Sequence, residues 1–257
     1  MLVKVVVSGC CGKMGSRIAA LAQPSLNKPP IDLVGAIEAK NHPAIGRDLG
    51  EVLGEKPIGV KITDDAASVL KNADVLIEFT MPEATMDHLR VVTSLKKAMV
   101  IGTTGLTEAD RELIAASART IPIVFSPNMS VGVNLLFELV QAAAERLGPS
   151  YRVEIVEAHH EHKKDAPSGT AKRLQELLGK VRSRWHLPAD IPCQSIRKGE
   201  IVGDHTVIFS GPFERLELMH RAESRDTFAL GALQAAKFIA GRPPGLYEMS
   251  DVLGAGT

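Results

Sequence analysis

The sequence predicts an α/β chain with an N-terminal parallel sheet covered by helices, followed by a smaller α+β unit with a mixed sheet. Over the first half, short valine- and isoleucine-rich runs alternate with helical stretches, as parallel strands joined by crossover helices require. After about residue 128 that rhythm gives way to long amphipathic helices bracketed by strand-like runs. The chain has 257 residues, 45% hydrophobic and 23% charged, which is enough for two ordinary cores.

"VKVVVSG" (3 to 9) is a valine run bounded by glycine and reads as a buried strand. "KMGSRIAALAQ" follows with helical spacing of Met14, Ile18, Leu21 and Ala22, and stops before Pro24. "IDLVGAIE" (31 to 38) and "ADVLIEFT" (73 to 80) are further strands, and "EATMDHLRVVTSLK" is a helix after Pro82. "AMVIGTTG", then "EADRELIAASART", repeats the strand-helix order, and "IPIVFSPN" closes the series. Beyond it, "NLLFELVQAAAERLG" (134 to 148) is an amphipathic helix with a glycine stop at Gly148. "RVEIVEAHHEH" alternates like a strand, a helix runs from about Gly169 to Gly179, and "HTVIFSGPFERLELMHRA" reads as two strands around a Gly-Pro turn. "DTFALGALQAAKFIAG" is a last long helix. The expected division is 1–128, then 129–239, with the tail 240–257 packing back on the first domain.

Composition removes several classes. Thirty Lys+Arg balance thirty Asp+Glu, so no basic field points to nucleic acid or an anionic membrane. Aromatics at 4% are too few for base-stacking platforms. No stretch approaches the roughly 20 apolar residues of a membrane span, and the N-terminus lacks a signal-peptide pattern. Three cysteines, two of them adjacent at Cys10 and Cys11, do not make a disulfide framework. The expected compartment is the reducing cytoplasm.

"GCCGKMG" places Gly9, Gly12 and Gly15 between the first strand and first helix, one residue off the G-x-G-x-x-G spacing. Glycines there allow a tight turn and close backbone approach to a pyrophosphate, and the helix N-terminus offers unpaired N–H groups. Glu38 ends the second strand, 23 residues beyond Gly15, where an acid accepts from a ribose diol. Together these features predict dinucleotide binding. Cys10 and Cys11 raise a redox reading, but small residues also simply suit a loop that hugs phosphates. Lys13 and Arg17 either add charge near the phosphates or are merely exposed.

"EAHHEHKKDAPSGTAKRL" (157 to 174) crowds titratable groups just before a helix start. On a strand, Glu157, His159 and Glu161 share one face and His160 and His162 the other. A zinc site is disfavoured by that opposition, and no metal is expected. A solvated strand end remains the bland reading. The continuation favours an anion site: Ser168 or Thr170 can cap the helix, Gly169 permits close approach, and Lys163 adds a cation. The ordinary pKa of His159, about 6.5, suits proton transfer near neutrality.

"EAHHEHKKDAPSGTA" resembles the signature of the dihydrodipicolinate reductase (4-hydroxy-tetrahydrodipicolinate reductase) family at every specified position of E-x-H-H-x-x-K-x-D-x-P-S-G-T-A. "GCCGKMG", "FTMPEAT", "GTTG", "SPNMSVGVN", "KGEIVGDHTVIF", "HRAESRDTFALGAL" and "GLYEMSDVL" resemble family segments in order, over nearly the whole chain. The resemblance implies a Rossmann-type domain for NADH and/or NADPH and a second domain that binds a cyclic dicarboxylate and forms a homotetramer. It implies His159 as acid/base and Lys163 as proton donor, with His160, Ser168, Gly169 and Thr170 holding substrate carboxylates. Gly9, Cys10, Cys11, Gly12, Lys13, Met14, Glu38, Gly102, Thr103, Thr104, Ser126, Pro127, Asn128 and Met129 would line the dinucleotide. The implied reaction is hydride reduction of 4-hydroxy-tetrahydrodipicolinate in the diaminopimelate route to lysine. Many members carry a basic residue directly after the ribose acid; here Ala39 follows Glu38, so NADH should serve at least as well as NADPH. Lys40, Lys13 or Arg17 could still favour NADPH. The rival readings are another nicotinamide dehydrogenase of small amino or keto acids, and a non-catalytic dinucleotide sensor.

Overall fold

The computed structural model describes residues 2–22 and 31–254, and the chain forms two compact units. The first unit comprises residues up to Ser130 together with those from Phe228 onward. Its strands are β1 (Val3–Ser8), β2 (Ile31–Ile37), β3 (Ile62–Thr63), β4 (Val75–Glu78), β5 (Ala98–Ile101), β6 (Pro122–Phe125) and β11 (Gly245–Tyr247). They form one seven-stranded sheet in the order β11-β6-β5-β4-β1-β2-β3, with every pairing parallel. The reversal of order between β1 and β4 is the doubly wound arrangement that leaves a crevice at the carboxyl ends of those strands.

The central strands are apolar without alternation because helices cover both faces. Val5, Val6 and Val7 of β1 and Val75, Leu76 and Ile77 of β4 are wholly buried. The helices are α1 (Gly15–Leu21), α2 (Leu49–Val52), α3 (Ala66–Leu70), α4 (Pro82–Ser94) and α5 (Glu108–Ser117). Pro82 opens α4, where a missing N–H costs nothing. Thr107 and Asp110 form a reciprocal capping box at the start of α5. Met86, Leu89 and Val92 of α4 meet Ile114 of α5 and the sheet in one core cluster, each large side chain contributing roughly 1.5–3 kcal/mol by leaving water. The expected end of the first helix at Gln23 lies outside the described residues. Elements α2, α3 and β3 were not legible as periodic runs, being two to five residues long.

The second unit is Val131–Thr227. It holds α6 (Val131–Leu147), β7 (Arg152–His159), α7 (Gly169–Ser183), β8 (Cys193–Arg197), β9 (Gly203–Ser210) and β10 (Arg215–Ala222). Its sheet runs β10-β9-β7-β8, with β7 and β8 parallel and the other pairs antiparallel. Leu136 and Val140 of α6, Leu174 and Leu178 of α7, and Ile155, Val207 and Phe209 of the sheet make its core. Helix α7 continues four residues beyond the expected Gly179, to Ser183.

The division of the chain differs from the sequence reading in two respects: Met129 and Ser130 belong to the first unit, and so does most of a late helix. Helix α8 (Asp226–Ile239) falls almost entirely in the first unit, whereas the sequence reading left everything to residue 239 in the second. The cause is close packing: a Cβ at Gly231 would sit 1.7 Å from the Met129 carbonyl, so only glycine lets α8 lie against that segment. The chain then returns to the first sheet as β11 beside β6 and ends its described course in α9 (Met249–Gly254).

Candidate active site

In the first unit, the candidate cofactor residues gather at the carboxyl ends of β1, β2, β5 and β6. The turn after β1 is held by Gly12 N–H donating to the Gly9 carbonyl at 2.9 Å, and Gly9 sits at φ +67, a left-handed backbone that favours glycine. A Cβ on Gly15 would lie 2.1 Å from the Gly9 carbonyl, so the first turn of α1 folds tightly onto the loop. Glu38 closes the cradle. Its Oε2 accepts from Cys11 N–H at 2.9 Å and its Oε1 from Ala39 N–H at 2.9 Å, which fixes the carboxylate beside the turn. Each oxygen keeps a second lone pair for a diol. Lys13 is exposed, Met14 half-buried and Cys10 buried.

The loops after β5 and β6 divide their roles by residue. Gly102 lies under the Phe79 ring, where a Cβ would be 2.2 Å from a ring carbon. Thr103 is turned inward: its Oγ1 accepts from Thr80 N–H at 3.2 Å and from the Thr85 hydroxyl at 2.8 Å. Thr104 is exposed. Ser126, Pro127, Asn128 and Met129 form a braced turn in which the Ser126 hydroxyl donates to the Asn128 carbonyl at 2.8 Å and Asn128 Oδ1 accepts from Ser130 N–H at 2.9 Å. Pro127 is exposed and Met129 buried.

Sequence reasoning missed a buried polar network behind these loops. The Glu78 carboxyl, wholly buried at the end of β4, takes a hydrogen bond from the Thr80 hydroxyl and meets His88 Nδ1 at 2.7 Å. His88 Nδ1 also lies 3.3 Å from the Ser8 hydroxyl at the end of β1. A lone Glu inside the apolar run "VLIEF" was the available signal, since a carboxyl at a position buried on both faces requires a partner.

In the second unit, strand alternation builds the centre. Val153, Ile155, Glu157 and His159 occupy the inward positions of β7, so a core stripe continues into two titratable side chains. Register sets Glu157 opposite His205 of β9 and Ser195 of β8, and His159 opposite Arg197. Glu157 Oε2 accepts from His159 Nδ1 at 2.5 Å and from Arg197 Nη1 at 3.0 Å, and Oε1 accepts from Arg197 Nη2 at 2.8 Å. The backbone N–H of Ser168 reaches Oε1 at 3.4 Å. Arg197 spends its remaining donors on the carbonyls of Lys163, Asp165 and Ile196. It thereby pins the loop carrying Lys163 to the sheet.

Electrostatics follow from these partners. Burial pushes the Glu157 carboxyl up, but the hydrogen bonds of Arg197, Ser195 and His159 outweigh it and hold the group at about 2. An ionised Glu157 is acceptor-only, so His159 carries its proton on Nδ1 and its Nε2 is left as the acceptor. That Nε2 sits where a Cβ on Gly203 would be 3.1 Å away. Burial lowers the His159 pKa, with Glu157 opposing, and lowers His205 to about 3, helped by His159. The His159 and His205 rings meet edge to face at 5.1 Å.

Helix α7 begins beside this cluster. Ser168 is its N-cap, accepting from Ala171 N–H at 3.2 Å and bonding His205 Nε2 at 3.0 Å. Gly169 is exposed, with open space where its Cβ would be, and Thr170 follows on the first turn. Lys163 Nζ pairs with Asp165 at 2.8 Å, and its side chain is 23% exposed. His160 is half-buried, its ring 6.2 Å from that of His162. Glu161 does not join the face of Glu157: β7 has already ended, and Glu161 turns away to accept from Gly199 N–H. Glu157, His159 and His205 could also offer three donor atoms to a metal ion. A cation there would have to displace the guanidinium that already holds both Glu157 oxygens.

Strand order, glycine turn and strand-end acid define a Rossmann-type oxidoreductase with a second, mixed-sheet unit. The comparisons give the particular family. The "Dihydrodipicolinate reductase, N-terminus" model matches residues 3–129 and the "Dihydrodipicolinate reductase, C-terminus" model residues 132–253. The chain is 46% identical to a 4-hydroxy-tetrahydrodipicolinate reductase of Anaeromyxobacter dehalogenans strain 2CP-1, covering 98% of each chain. It is 43% identical to that of Syntrophus aciditrophicus, covering 98% of this chain and 99% of the relative. A dipicolinate-bound dihydrodipicolinate reductase from Paenisporosarcina sp. TG-14 has the same fold, with TM-score 0.78 and 23% identity over 96% of this chain and 98% of that one. An amine dehydrogenase from Mycobacterium smegmatis matches at TM-score 0.62 and 16% identity, over 95% and 94%. The chain belongs to the dihydrodipicolinate reductase family and is an enzyme.

Proposed function

We propose that the protein reduces 4-hydroxy-tetrahydrodipicolinate to tetrahydrodipicolinate with NADH or NADPH, in the diaminopimelate route to lysine. The observation that carries this reading is the Glu157–His159–Arg197 cluster beside the amino end of α7, which joins proton chemistry to an anion cradle in one unit. A reduced nicotinamide, when bound, supplies hydride to the ring.

The chain's own residues do the rest. The amino end of α7 at Gly169 and Thr170, with open space at the Cβ position of Gly169, receives a substrate carboxylate, with the Ser168 hydroxyl already fixed as cap. His160 flanks the second carboxylate. The Lys163 ammonium donates the proton that hydride addition demands, and Asp165 orients it. His159, kept neutral by burial and held on its Nδ1 by Glu157, presents Nε2 to accept and pass on a proton. Gly9 to Met14, Glu38, Gly102 to Thr104 and Ser126 to Met129 hold the dinucleotide, with the glycine turn on the pyrophosphate and Glu38 on the ribose diol.

The reading extends to a homotetramer in the cytoplasm, built through the second sheet. Ile196 and Met219 leave apolar side chains exposed on that sheet, which suits burial against another copy. Light scattering should return four times the 27.5 kDa chain mass. The activity test is loss of reduced-dinucleotide absorbance on adding freshly prepared 4-hydroxy-tetrahydrodipicolinate. Turnover of that compound with none on small amino or keto acids is expected; the reverse pattern would replace the substrate assignment.

A further inference from the structure

The glycine turn carries two thiols. Cys10 and Cys11 are adjacent in sequence, and their Sγ atoms lie 3.9 Å apart rather than on opposite sides of the chain. Both are free thiols, and the donor atoms of Cys10, Cys11 and Glu38 all lie within 4.8 Å of one another. The outer thiol, Cys11, is half-exposed and the inner one buried. The backbone that presents them is constrained by the Gly12-to-Gly9 hydrogen bond and by the bond from Cys11 N–H to Glu38.

From this geometry we infer a dithiol site for trivalent arsenic, arsenite being the simplest ligand, whose occupation excludes the dinucleotide. Two thiols at van der Waals separation need only a small approach to be spanned by one thiophilic centre: bonds near 2.3 Å place tetrahedral sulfurs a little under 4 Å apart, and the narrower angle of pyramidal arsenic draws them somewhat closer. The chemistry balances without a redox partner. Arsenous acid condenses with the Cys11 thiol, forming one As–S bond and releasing one water. The Cys10 thiol then displaces a second hydroxide, which leaves as water with the thiol proton, and one As–OH remains beside the Glu38 carboxylate. Arsenic stays trivalent and both sulfurs keep their oxidation state. The second step is intramolecular, so burial of Cys10 does not prevent it.

The same surroundings disfavour a divalent cation. Burial pushes both thiols up, with the neighbouring carboxylate of Glu38 adding to the effect, so both are held protonated. A zinc-type ion must strip two protons against that preference, whereas arsenous acid carries them off as water. Exclusion of the dinucleotide rests on the proposed role of this turn; the thiol site itself does not.

Intact-mass analysis of the native full-length protein after arsenite treatment tests the site. One As–OH should replace two hydrogens, and thiol titration should fall from three free cysteines to one. Dithiothreitol should reverse both changes. Cys10→Ser, Cys10→Ala and Cys11→Ser should each abolish the bridged adduct, while Cys193→Ser should keep it. A bridged adduct in any Cys10 or Cys11 variant, or none in the wild type, overturns the inference. NADH at ten times its Kd should slow the reaction about tenfold by occupying the turn. If the adduct forms at Cys10 and Cys11 but NADH, shown by fluorescence to be bound, gives no protection, the thiol site stands. The placement of the dinucleotide at this turn, and with it the exclusion, is then overturned.

Discussion

Arg197 meets the buried carboxylate of Glu157 with both terminal guanidinium nitrogens, Nη1 at 3.0 Å and Nη2 at 2.8 Å, across neighbouring strands β8 and β7. A buried charge pair of this kind is expensive to break on one side, because the remaining carboxylate keeps its desolvation cost and loses its partner. Arg197→Leu should therefore destabilise the second unit by about 3–5 kcal/mol. Trp185, the only tryptophan, packs against that unit's core and reports its unfolding in urea. Arg197→Lys should retain part of the stability but lose the fork, and kcat should drop in both variants as the Lys163 loop loosens. A wild-type urea midpoint in Arg197→Leu would refute the account.

His159 and Lys163 should separate kinetically. His159→Gln keeps a hydrogen bond to Glu157 but cannot move a proton, so kcat should fall with dinucleotide affinity unchanged. Lys163→Ala should lower kcat and raise the KM for the dicarboxylate, since it removes both donor and cation. Each loss should be at least tenfold, about 1.4 kcal/mol of transition-state stabilisation. Smaller effects in both variants would remove these residues from the chemistry.

Cofactor choice turns on Glu38 and Ala39. The carboxylate sits on the turn through Cys11 N–H, and the next side chain is a methyl group with no charge to offer a 2′-phosphate. NADH should have a kcat/KM at least equal to that of NADPH. Ala39→Arg should improve NADPH by about tenfold, the scale of one exposed charge-assisted contact, roughly 1–2 kcal/mol. A strong wild-type preference for NADPH would mean that Lys40, Lys13 or Arg17 supplies the missing charge.

Glu78 should matter to the loop that carries Thr103 more than its distance in sequence suggests. Glu78→Ala leaves the Thr80 hydroxyl and His88 without their buried acceptor, at a cost of about 2–4 kcal/mol to the first unit. Because Thr80 N–H also holds Thr103, the KM for NADH should rise in Glu78→Gln even where the protein remains folded. Calorimetry and NADH titration check the two effects; an unchanged transition in Glu78→Ala would show the network to be idle.

What was legible in the chain was local or periodic. The glycine turn, Glu38 and the run from Glu157 to Thr170 each lie within one strand-turn-helix passage, so spacing alone brings them together. Arg197 and His205 did not emerge, because they meet Glu157 only through sheet register, 40 and 48 residues further along the chain. Strand β8, "CQSIR", is five residues with little apolar contrast and carries no period to detect. Helix α8 was recognised as a helix but placed in the wrong unit, since amphipathicity names a buried face and not its partner.

Acid should unfold the second unit in two phases, and the signs of the shifts say why. His205 is neutral when folded because burial lowers it to about 3 from an ordinary 6.5. Below pH 6.5 the unfolded chain binds that proton more readily, so stability declines from there down to about pH 3; His159, also lowered, acts in the same direction. Glu157, held at about 2 against an ordinary 4.5, contributes stability that is complete above pH 4.5 and is lost as pH falls to about 2. That second contribution is of the order of 3 kcal/mol, so the slope steepens below pH 4.5. Urea midpoints followed by Trp185 fluorescence should fall gradually from pH 7 to 5 and faster below. His205→Gln should flatten the first phase and leave the second, because a glutamine has no proton to gain. A midpoint constant between pH 7 and 5 in the wild type would mean that the imidazoles are already hydrated and chargeable in the folded protein, and the buried cluster would have to be redrawn.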